Sequence, residues 1–319
     1  MATSGSIDFN LTRNDIINAA LRLLGQLAEG ETATDEQLAE GAQALNMMVK
    51  HWESQDIHLW KHKEATIFVQ YNTAKYTLGA SNWNATQSYT KTEISTAGSS
   101  GDSTIDVDSI TGVSDGDYIG VELDDSTMQW TTVNGSPSGT TITLTDVLTD
   151  DISVDANVYA YTSKINRPLK ITSARLKMDD SNEIMMTQLA RDDYSTISRK
   201  ESLGNPTQYF YNKNIDLTGD LYLWVTPNDV KQVINITYIG SIEDFDAVSD
   251  NPDFPREWLR VLTFNLASDL SFEYGLPLQQ QAAIEAKAVQ YLNEVLAYDQ
   301  EEPSVQFMPT GDGFNGFYY

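Results

Sequence analysis

The sequence predicts an α+β protein, with a discontinuous four-helix core from both chain ends and central antiparallel β domains. Two observations predict this fold class. Apolar residues recur every three or four positions near both ends of the chain, as in amphipathic helices. The middle instead holds short runs of β-branched and aromatic residues, separated by Gly, Asn, Asp and Ser. One of the β domains is expected to be an inserted small sandwich or barrel.

Two helices are predicted in the first 60 residues. Thr12 followed by Asp15, and Thr34 followed by Gln37, each match a capping box at a helix start. After the second start, one apolar stripe follows at helical spacing, formed by Leu38, Ala42, Leu45, Val49 and Trp52. The two helices therefore form an αα-hairpin whose apolar stripes need a partner.

A second helical pair is predicted near the C-terminus. Apolar residues repeat every four positions at Trp258, Leu262, Leu266 and Leu270. Residues 278–298 are good helix formers with one apolar side, formed by Ile284, Ala288, Tyr291 and Val295. Because the two pairs can bury each other's stripes, residues 1–60 and 252–302 are assigned to one helical domain.

The middle of the chain is assigned to two β domains. Residues 61–96 and 163–251 form a β platform, in which the runs 66–71 and 75–78 predict a hairpin. Residues 97–162 form an inserted acidic domain rich in Ser, Thr, Gly and Asp. Its strands are expected at 104–107, 118–123, 128–133, 140–144 and 157–161.

Composition excludes several classes of function. The 319 residues include 46 Asp+Glu against 20 Lys+Arg, and the resulting charge of −26 argues against binding nucleic acid phosphates. The absence of cysteine removes disulfides, thiol nucleophiles and Cys-ligated metals. No apolar run is long enough to span a membrane, and residues 2–12 lack the features of a secretory signal. We expect a protein that is made in the cytoplasm and is not an enzyme.

Few residues suggest a metal or catalytic site. The histidines are His51, His58 and His62, near Glu53 and Asp56, and their spacings of seven and four match no metal-ligand motif. No nucleophile–base motif is present. We therefore predict no metal, no cofactor and no catalytic residue.

The inserted domain is acidic throughout. It holds twelve carboxylates between Asp102 and Asp155, with no Lys or Arg between Lys91 and Lys164. Their order matches no calcium-binding loop, which favours a solvated acidic surface that repels nucleic acid at short range. The residues proposed for this channel or rim surface are Asp102, Asp106, Asp108, Asp115, Asp117, Asp124 and Asp125.

The C-terminal tail, residues 303–319, has no periodicity but is rich in large apolar side chains. Disordered tails are normally poor in aromatic residues. Docking into a groove on a neighbouring protein is therefore favoured over packing onto its own domain. The residues predicted to dock are Phe307, Met308, Pro309, Phe314, Phe317, Tyr318 and Tyr319.

Several segments, in their order along the chain, carry a family resemblance. They are residues 12–60, RPLKITSARL at 167–176, GNPTQYFY at 204–211, the IEDFD…DFPREWL run at 242–259, and FMPTG at 307–311. Together they resemble the head-to-tail adaptors of short-tailed bacteriophages, also called tail tubular protein A or gene-4-like head-completion proteins. The resemblance does not extend to the acidic domain at 97–162.

The resemblance implies a structural protein in the neck of a virion. Its copies would form a homo-oligomeric ring, usually of twelve, between the portal protein and the tail nozzle protein, with tail fibres as a further neighbour. The C-terminal tail would dock on the portal protein. The ring would retain the packaged genome and form part of the ejection channel, and it would contact no membrane. Acidic walls would let DNA pass without specific binding, since basic residues would hold its phosphates.

One alternative function stays open. Paired carboxylates beside aromatic platforms can bind or hydrolyse glycans. With Trp83 and Trp130 as the platforms, the chain would be a carbohydrate-binding or glycan-degrading tail component.

Overall fold

The computed structural model describes residues 5–55, 59–179 and 182–298. The described chain is a mixed α+β protein with two compact units. One unit is formed by the chain ends, up to Leu59 and from Glu243, and the other by Trp60–Ile242. The helices of the described chain are α1 (Arg13–Leu23), α2 (Asp35–Glu53), α3 (Arg191–Thr196), α4 (Leu259–Glu273) and α5 (Leu278–Tyr298). No helix in these ranges is both long and apolar enough to cross a membrane.

Both predicted capping boxes are confirmed. At the start of α1, the Asp15 N–H donates to Thr12 Oγ1 at 3.3 Å, and the Thr12 N–H donates to Asp15 Oδ2 at 3.0 Å. Thr34 and Gln37 exchange the same pair of bonds at the start of α2. Hydrogen bonds from Thr12 hold the pKa of the Asp15 carboxyl below its usual value. These contacts satisfy N–H groups that a helix start would otherwise leave unpaired.

The core of the helical unit lies around α4, against which α1, α2 and α5 each pack. Gly41 on α2 permits a close approach of α1, because a Cβ at this position would lie 2.6 Å from Ile17 Cγ2. The apolar faces of α1, α2 and α4 are buried, whereas α5 buries Ala288 alone among its described residues. The predicted four-helix core is therefore not confirmed, since α5 covers α4 with most of its own surface exposed.

The second segment of the helical unit is predicted to begin at residue 252, but in the structure it begins at Glu243. The stretch before α4 is tied to α1 and α2 by side chains that bind its backbone. The Phe245 N–H donates to Asn46 Oδ1 at 2.9 Å, and the Arg13 guanidinium donates to the Asp246 carbonyl at 3.1 Å. Phe245 is itself buried. These contacts place residues 243–251 with the helices instead of with the β platform.

The second unit is built from strands. They are β1 (His62–Phe68), β2 (Lys75–Leu78), β3 (Ala85–Thr86), β4 (Thr90–Thr96), β5 (Thr104–Val107), β6 (Tyr118–Glu122), β7 (Met128–Thr132), β8 (Thr141–Thr143), β9 (Asn157–Tyr161), β10 (Lys170–Lys177), β11 (Glu183–Gln188), β12 (Leu203–Gly204), β13 (Gln208–Lys213), β14 (Gly219–Trp224), β15 (Thr226–Pro227) and β16 (Val233–Ile239). The larger sheet has the order β2-β14-β13-β11-β10-β16-β1-β3. Its described pairs are antiparallel except β11 with β13, and the short β12–β15 pair is also parallel.

The hairpin predicted from runs 66–71 and 75–78 is wrong. Both runs contain strands, but β1 pairs with β16 and β3, and β2 pairs with β14. Tyr76 on β2 is fully buried in the core of the larger sheet, where its hydroxyl accepts from the Gln70 N–H at 3.1 Å. The short connection therefore links two strands that are not neighbours in the sheet. The partners of β1 and β2 are strands that lie elsewhere in the sequence.

The acidic inserted domain is a small barrel. Its strands follow the order β7-β6-β9-β4-β5-β8, and bonds between the ends of β7 and β8 close the ring, including Thr145 N–H to the Thr132 carbonyl at 2.9 Å. Apolar side chains such as Ile94, Ile119 and Val158 fill its interior. The barrel begins at β4, ahead of the predicted boundary at 97, because β4 pairs with both β5 and β9.

An aromatic cluster joins the barrel to the larger sheet. Phe68 lies at the end of β1. The centroid of its ring lies within 5.8 Å of the ring centroids of four residues on the barrel side, namely Tyr89, Trp130, Tyr159 and Tyr161. Burial raises the pKa of Tyr159 and of Tyr161 above the usual value for tyrosine. This cluster fixes the barrel on the sheet by apolar packing.

Replacing Phe68 with alanine should destabilise the β unit by about 3–5 kcal/mol, because it removes the ring that contacts the barrel-side aromatic residues and leaves a cavity in its place. Urea denaturation followed by tryptophan fluorescence measures this change. Tyr71→Ala, at an exposed position three residues away, is the control and should change stability by less than about 0.5 kcal/mol. Equal effects for the two variants would show that the cluster does not hold the barrel.

Candidate functional site

The exposed surface of α5 includes one uncharged row of side chains, although Glu285, Lys287 and Glu294 are also exposed on this helix. At helical spacing it presents what we call the α5 outer stripe, which consists of Leu278, Ala282, Ala286, Val289, Asn293 and Ala297. Every member is exposed, with Leu278 at 82% and Val289 at 50%. A helix with a solvated outer face usually places charged residues there. The composition of this stripe is instead typical of a surface that another protein covers.

The inner side of α5 is held firmly, so the direction of the outer stripe is fixed. Tyr291 packs edge-on against Phe264 of α4, with ring centroids 4.9 Å apart. The guanidinium of Arg260 lies 4.0 Å from the centroid of the Tyr291 ring and donates to its hydroxyl at 2.6 Å. The α5 outer stripe therefore cannot turn inward without breaking these contacts.

A second apolar surface precedes α1, and the sequence interpretation missed it. Residues 6–11, which we call the N-terminal arm, lie outside every helix and strand of the described chain. Apolar side chains alternate with polar ones at Ile7, Phe9 and Leu11, and Ile7 is 85% and Phe9 69% exposed. This alternation at a period of two is visible in the sequence and could have identified the arm.

The acids predicted for the channel or rim surface lie on the barrel, and several of them order its loops. The carboxylates of Asp102, Asp115 and Asp117 accept hydrogen bonds from backbone N–H groups at 2.7–2.8 Å. Asp125 accepts from the N–H of Thr127 at 2.8 Å, and Asp106 accepts from the Thr141 hydroxyl. The bonds of Asp102, Asp117 and Asp125 are local and stabilise tight turns, whereas Asp106 and Asp115 link segments that are farther apart in the sequence. Both kinds of bond explain part of the acid content without any ligand.

The exposure of these acids differs. Asp117 is buried and Asp106 half-buried, so neither contributes fully to an outer surface. The exposed members are Asp102, Asp108, Asp115, Asp124 and Asp125. In the described part of the chain, no hydrogen bond engages the carboxylates of Asp108 and Asp124. In the predicted set, these two exposed carboxylates therefore contribute negative charge to the surface without also holding a turn together.

Glu122 has a structural role that sequence reasoning missed. Its side chain is buried, and Oε2 accepts from both the backbone and side-chain nitrogens of Asn157 at 3.0 Å. Lys231, in the connection just before β16, approaches Glu122 Oε1 at 3.4 Å. The charge of Glu122 raises the pKa of Lys231 above its usual value. No motif marks this contact, because its members are far apart in the sequence.

Across residues 5–55, 59–179 and 182–298, no group of three or more His, Asp or Glu side chains is arranged to hold a metal ion. His51 lies on α2, where its Nε2 is 3.1 Å from Gln55 Nε2, and His62 begins β1 in the other unit. His58 lies outside the described residues. A surface recess of about 550 Å³ is lined by residues 197–202. Its lining includes both positive and negative side chains, those of Arg199, Lys200 and Glu201.

The two tryptophans suggested as glycan platforms pack inside the β unit. Trp83 donates from Nε1 to the Phe68 carbonyl at 2.7 Å and meets the Tyr76 ring edge-on at 4.8 Å. Trp130 belongs to the aromatic cluster and lies against Gly120, where a Cβ would be 2.7 Å from the indole ring. Both rings are half-buried and belong to different clusters. The structure does not combine them into one platform.

The residues of the C-terminal tail that are predicted to dock belong to a part of the chain that the structure does not describe. Phe307, Met308, Pro309, Phe314, Phe317, Tyr318 and Tyr319 lie outside the described residues. The described chain reaches Tyr298, the last residue of α5, so the tail follows the helix that carries the outer stripe.

Comparisons with known proteins give only weak similarities. No protein-family model and no curated protein matches this chain. Similar solved structures include the Gp54 tailspike of Acinetobacter baumannii bacteriophage AP22, in complex with a capsular saccharide, at 19% identity and a TM-score of 0.20. That match covers 23% of this chain and spans only 14% of the tailspike chain. VP17, a capsid protein of bacteriophage P23-77, matches at 11% identity and a TM-score of 0.12, covering 60% of this chain and 77% of its own. Both are bacteriophage proteins, but at these TM-scores neither similarity establishes a shared fold.

Replacing Glu122 with glutamine should lower the free energy of unfolding by about 1–3 kcal/mol, because an ionised acceptor of two hydrogen bonds becomes neutral. Asp124→Asn, at an exposed position, is the matched control and should have an effect near zero. Urea denaturation at pH 7 measures both.

The raised pKa of Lys231 predicts how this stabilisation depends on pH. The stabilising charge of Lys231 is fully present below the pKa of the lysine in the unfolded chain, and it is lost as pH rises through the pKa of the lysine in the folded chain. On the alkaline side of pH 7, the difference in unfolding free energy between wild type and Glu122→Gln should therefore shrink only above about pH 10, and a difference that grows there would contradict this role.

Proposed function

We propose that this chain is a virion structural protein, the subunit of a head-to-tail adaptor ring in a short-tailed bacteriophage. The ring would stand in the neck, bridge the portal protein to the tail nozzle protein, and retain the packaged genome until ejection. It would act without a catalytic centre or cofactor. Twelve copies are the number that the family resemblance implies, and tail fibres are a further neighbour.

The observation that carries the proposal is the arrangement of the helical unit. Helices from both chain ends form it, and α5 leaves an uncharged stripe exposed before the chain continues into an aromatic-rich tail. A ring subunit needs such uncovered surfaces for its neighbours. In the assembled ring, a neighbouring copy would cover α5, and a bundle of four helices would be complete only there.

Charge supports the same function. With −26 per chain, a ring of many copies creates a strongly negative environment, which DNA phosphates cross without binding. Asp108 and Asp124 are the exposed acids best suited to this role, because their carboxylates maintain no turn in the described chain. The barrel would line the channel or form its rim.

The glycan-binding alternative has less support. It requires an exposed aromatic platform beside paired acids. Trp83 and Trp130 are held by contacts in two separate clusters, and Asp102 and Asp117 of the barrel order loops. We therefore favour the adaptor.

Truncation after Glu302 tests the tail as the portal anchor. Loss of its aromatic residues should weaken binding to the portal protein of the same virus by about 100-fold or more, as expected when several aromatic anchors are removed. Biolayer interferometry with immobilised portal protein measures the affinity. A full-length Ser304→Ala/Thr310→Ala variant keeps the aromatic residues and should bind as wild type does. Unchanged affinity after truncation would rule out the tail as the anchor.

The double substitution Asp108→Lys/Asp124→Lys tests the acidic channel. Two new cations per copy should bind passing phosphates, so DNA ejection from assembled virions should slow several-fold, most strongly at low salt. Time-resolved fluorescence of a DNA dye measures the rate. Asp192→Lys/Asp193→Lys makes the same charge change on exposed residues of α3, outside the barrel, and serves as the control. Ejection at the wild-type rate in the barrel variant would place these acids outside the channel.

A further inference from the structure

The helical unit carries two apolar surfaces that lie on different elements. One is the α5 outer stripe, which contains no charged residue in a chain with 66 of them, 46 acidic and 20 basic. The other is the N-terminal arm, whose Ile7 and Phe9 are more than two-thirds exposed. Side chains of this size are normally at least partly covered in a stable assembly. Each of these exposed apolar surfaces can be covered by the other.

The arm leaves the unit from a fixed base. The Arg13 N–H donates to the Asp250 carbonyl at 2.8 Å, and its guanidinium donates to the Asp246 carbonyl. Thr12 is held by the capping box of α1. The arm before these residues is therefore anchored at one end, which limits the entropy that is lost when its other end becomes ordered on a partner.

We propose that the N-terminal arm of one copy packs along the α5 outer stripe of the next copy. This inference rests on the proposed ring and names the contact that joins its subunits. Because arm and stripe are different surfaces, the contact is heterologous, and its repetition leads from copy to copy until the ring closes. A two-fold symmetric dimer would instead pair each surface with itself.

The dimensions of the two surfaces match. Six residues in an extended conformation span about 20 Å. The 21 residues of α5 form a helix about 31 Å long. The arm can therefore lie along most of the stripe. Alternation places Ile7, Phe9 and Leu11 on one side, so these side chains can face the helix together while Ser6, Asp8 and Asn10 face water.

Electrostatics favours this place for contact between copies. Chains with a charge of −26 repel each other, and the repulsion is weakest where neither surface is charged. The stripe has no charge, and Asp8 is the one charged residue between positions 6 and 11. A contact through the acidic barrel loops would bring like charges together instead.

Cross-linking of the full chain tests the contact. The natural sequence has no cysteine, so Phe9→Cys and Val289→Cys introduce the only thiols. With a short bis-maleimide, the double variant should give a ladder of covalent dimers, trimers and larger species, because each copy links to both neighbours. Either single variant can give at most a dimer. Phe9→Cys/Met47→Cys, with the second thiol on exposed α2, is the matched control and should give no ladder.

A second measurement does not depend on cross-linking. Ile7→Ser/Phe9→Ser changes only exposed side chains, so circular dichroism should match wild type. Mass photometry, with and without the portal protein, should show loss of ring-sized particles and a shift toward the 35.5 kDa monomer. Met47→Ser is the control and should leave the particle distribution unchanged.

The outcomes separate this inference from the adaptor proposal. Ring-sized particles that persist in the arm variant, or a double-cysteine variant that links only within one chain, would overturn the arm–stripe contact and leave the ring intact. A wild-type chain that stays monomeric alone and with the portal protein would overturn both. A ladder together with loss of rings in the arm variant would support both.

Discussion

The antiparallel pairing of β1 with β16 is the contact on which this architecture depends. His62 lies opposite Ile239, and the Gly240 N–H donates to the Lys61 carbonyl at 3.0 Å. The β unit therefore begins and ends at adjacent strands. The entropy of closing a loop grows only with the logarithm of its length, so residues 60–242 can intervene at modest cost. The two segments that lead to the helices therefore start from neighbouring strands of one sheet.

The acids of the barrel show how one residue type serves two purposes. Asp102, Asp115 and Asp117 hold backbone N–H groups in tight loops, which lets short strands follow each other within a closed barrel. The same residues contribute to the net charge of −26. A structural need for turn residues thus accounts for part of the acid content of the barrel, and an acidic composition alone does not identify a ligand site.

Net charge also limits how copies of this chain can associate. Between strongly negative molecules, apolar contact must form where charges are sparse. In the helical unit, the α5 outer stripe and the N-terminal arm have this character, and the contacts of Arg260 and Phe264 with Tyr291 keep the stripe turned away from α4. The exposed surface of α5 is thus a consequence of packing that holds its inner side in place.

The sequence alone determined the elements whose signals are local. The capping boxes at Thr12 and Thr34, the bounds of α5 and the strands β5 and β9 all follow from periodicity and turn residues within a few positions. Tertiary structure decided what depends on distant partners: that β1 pairs with β16 instead of β2, that β4 joins the barrel, and that α5 buries so little of its surface. Hydrogen bonds between strands and apolar contacts between helices form in space, so short-range sequence patterns do not encode which partner each element meets.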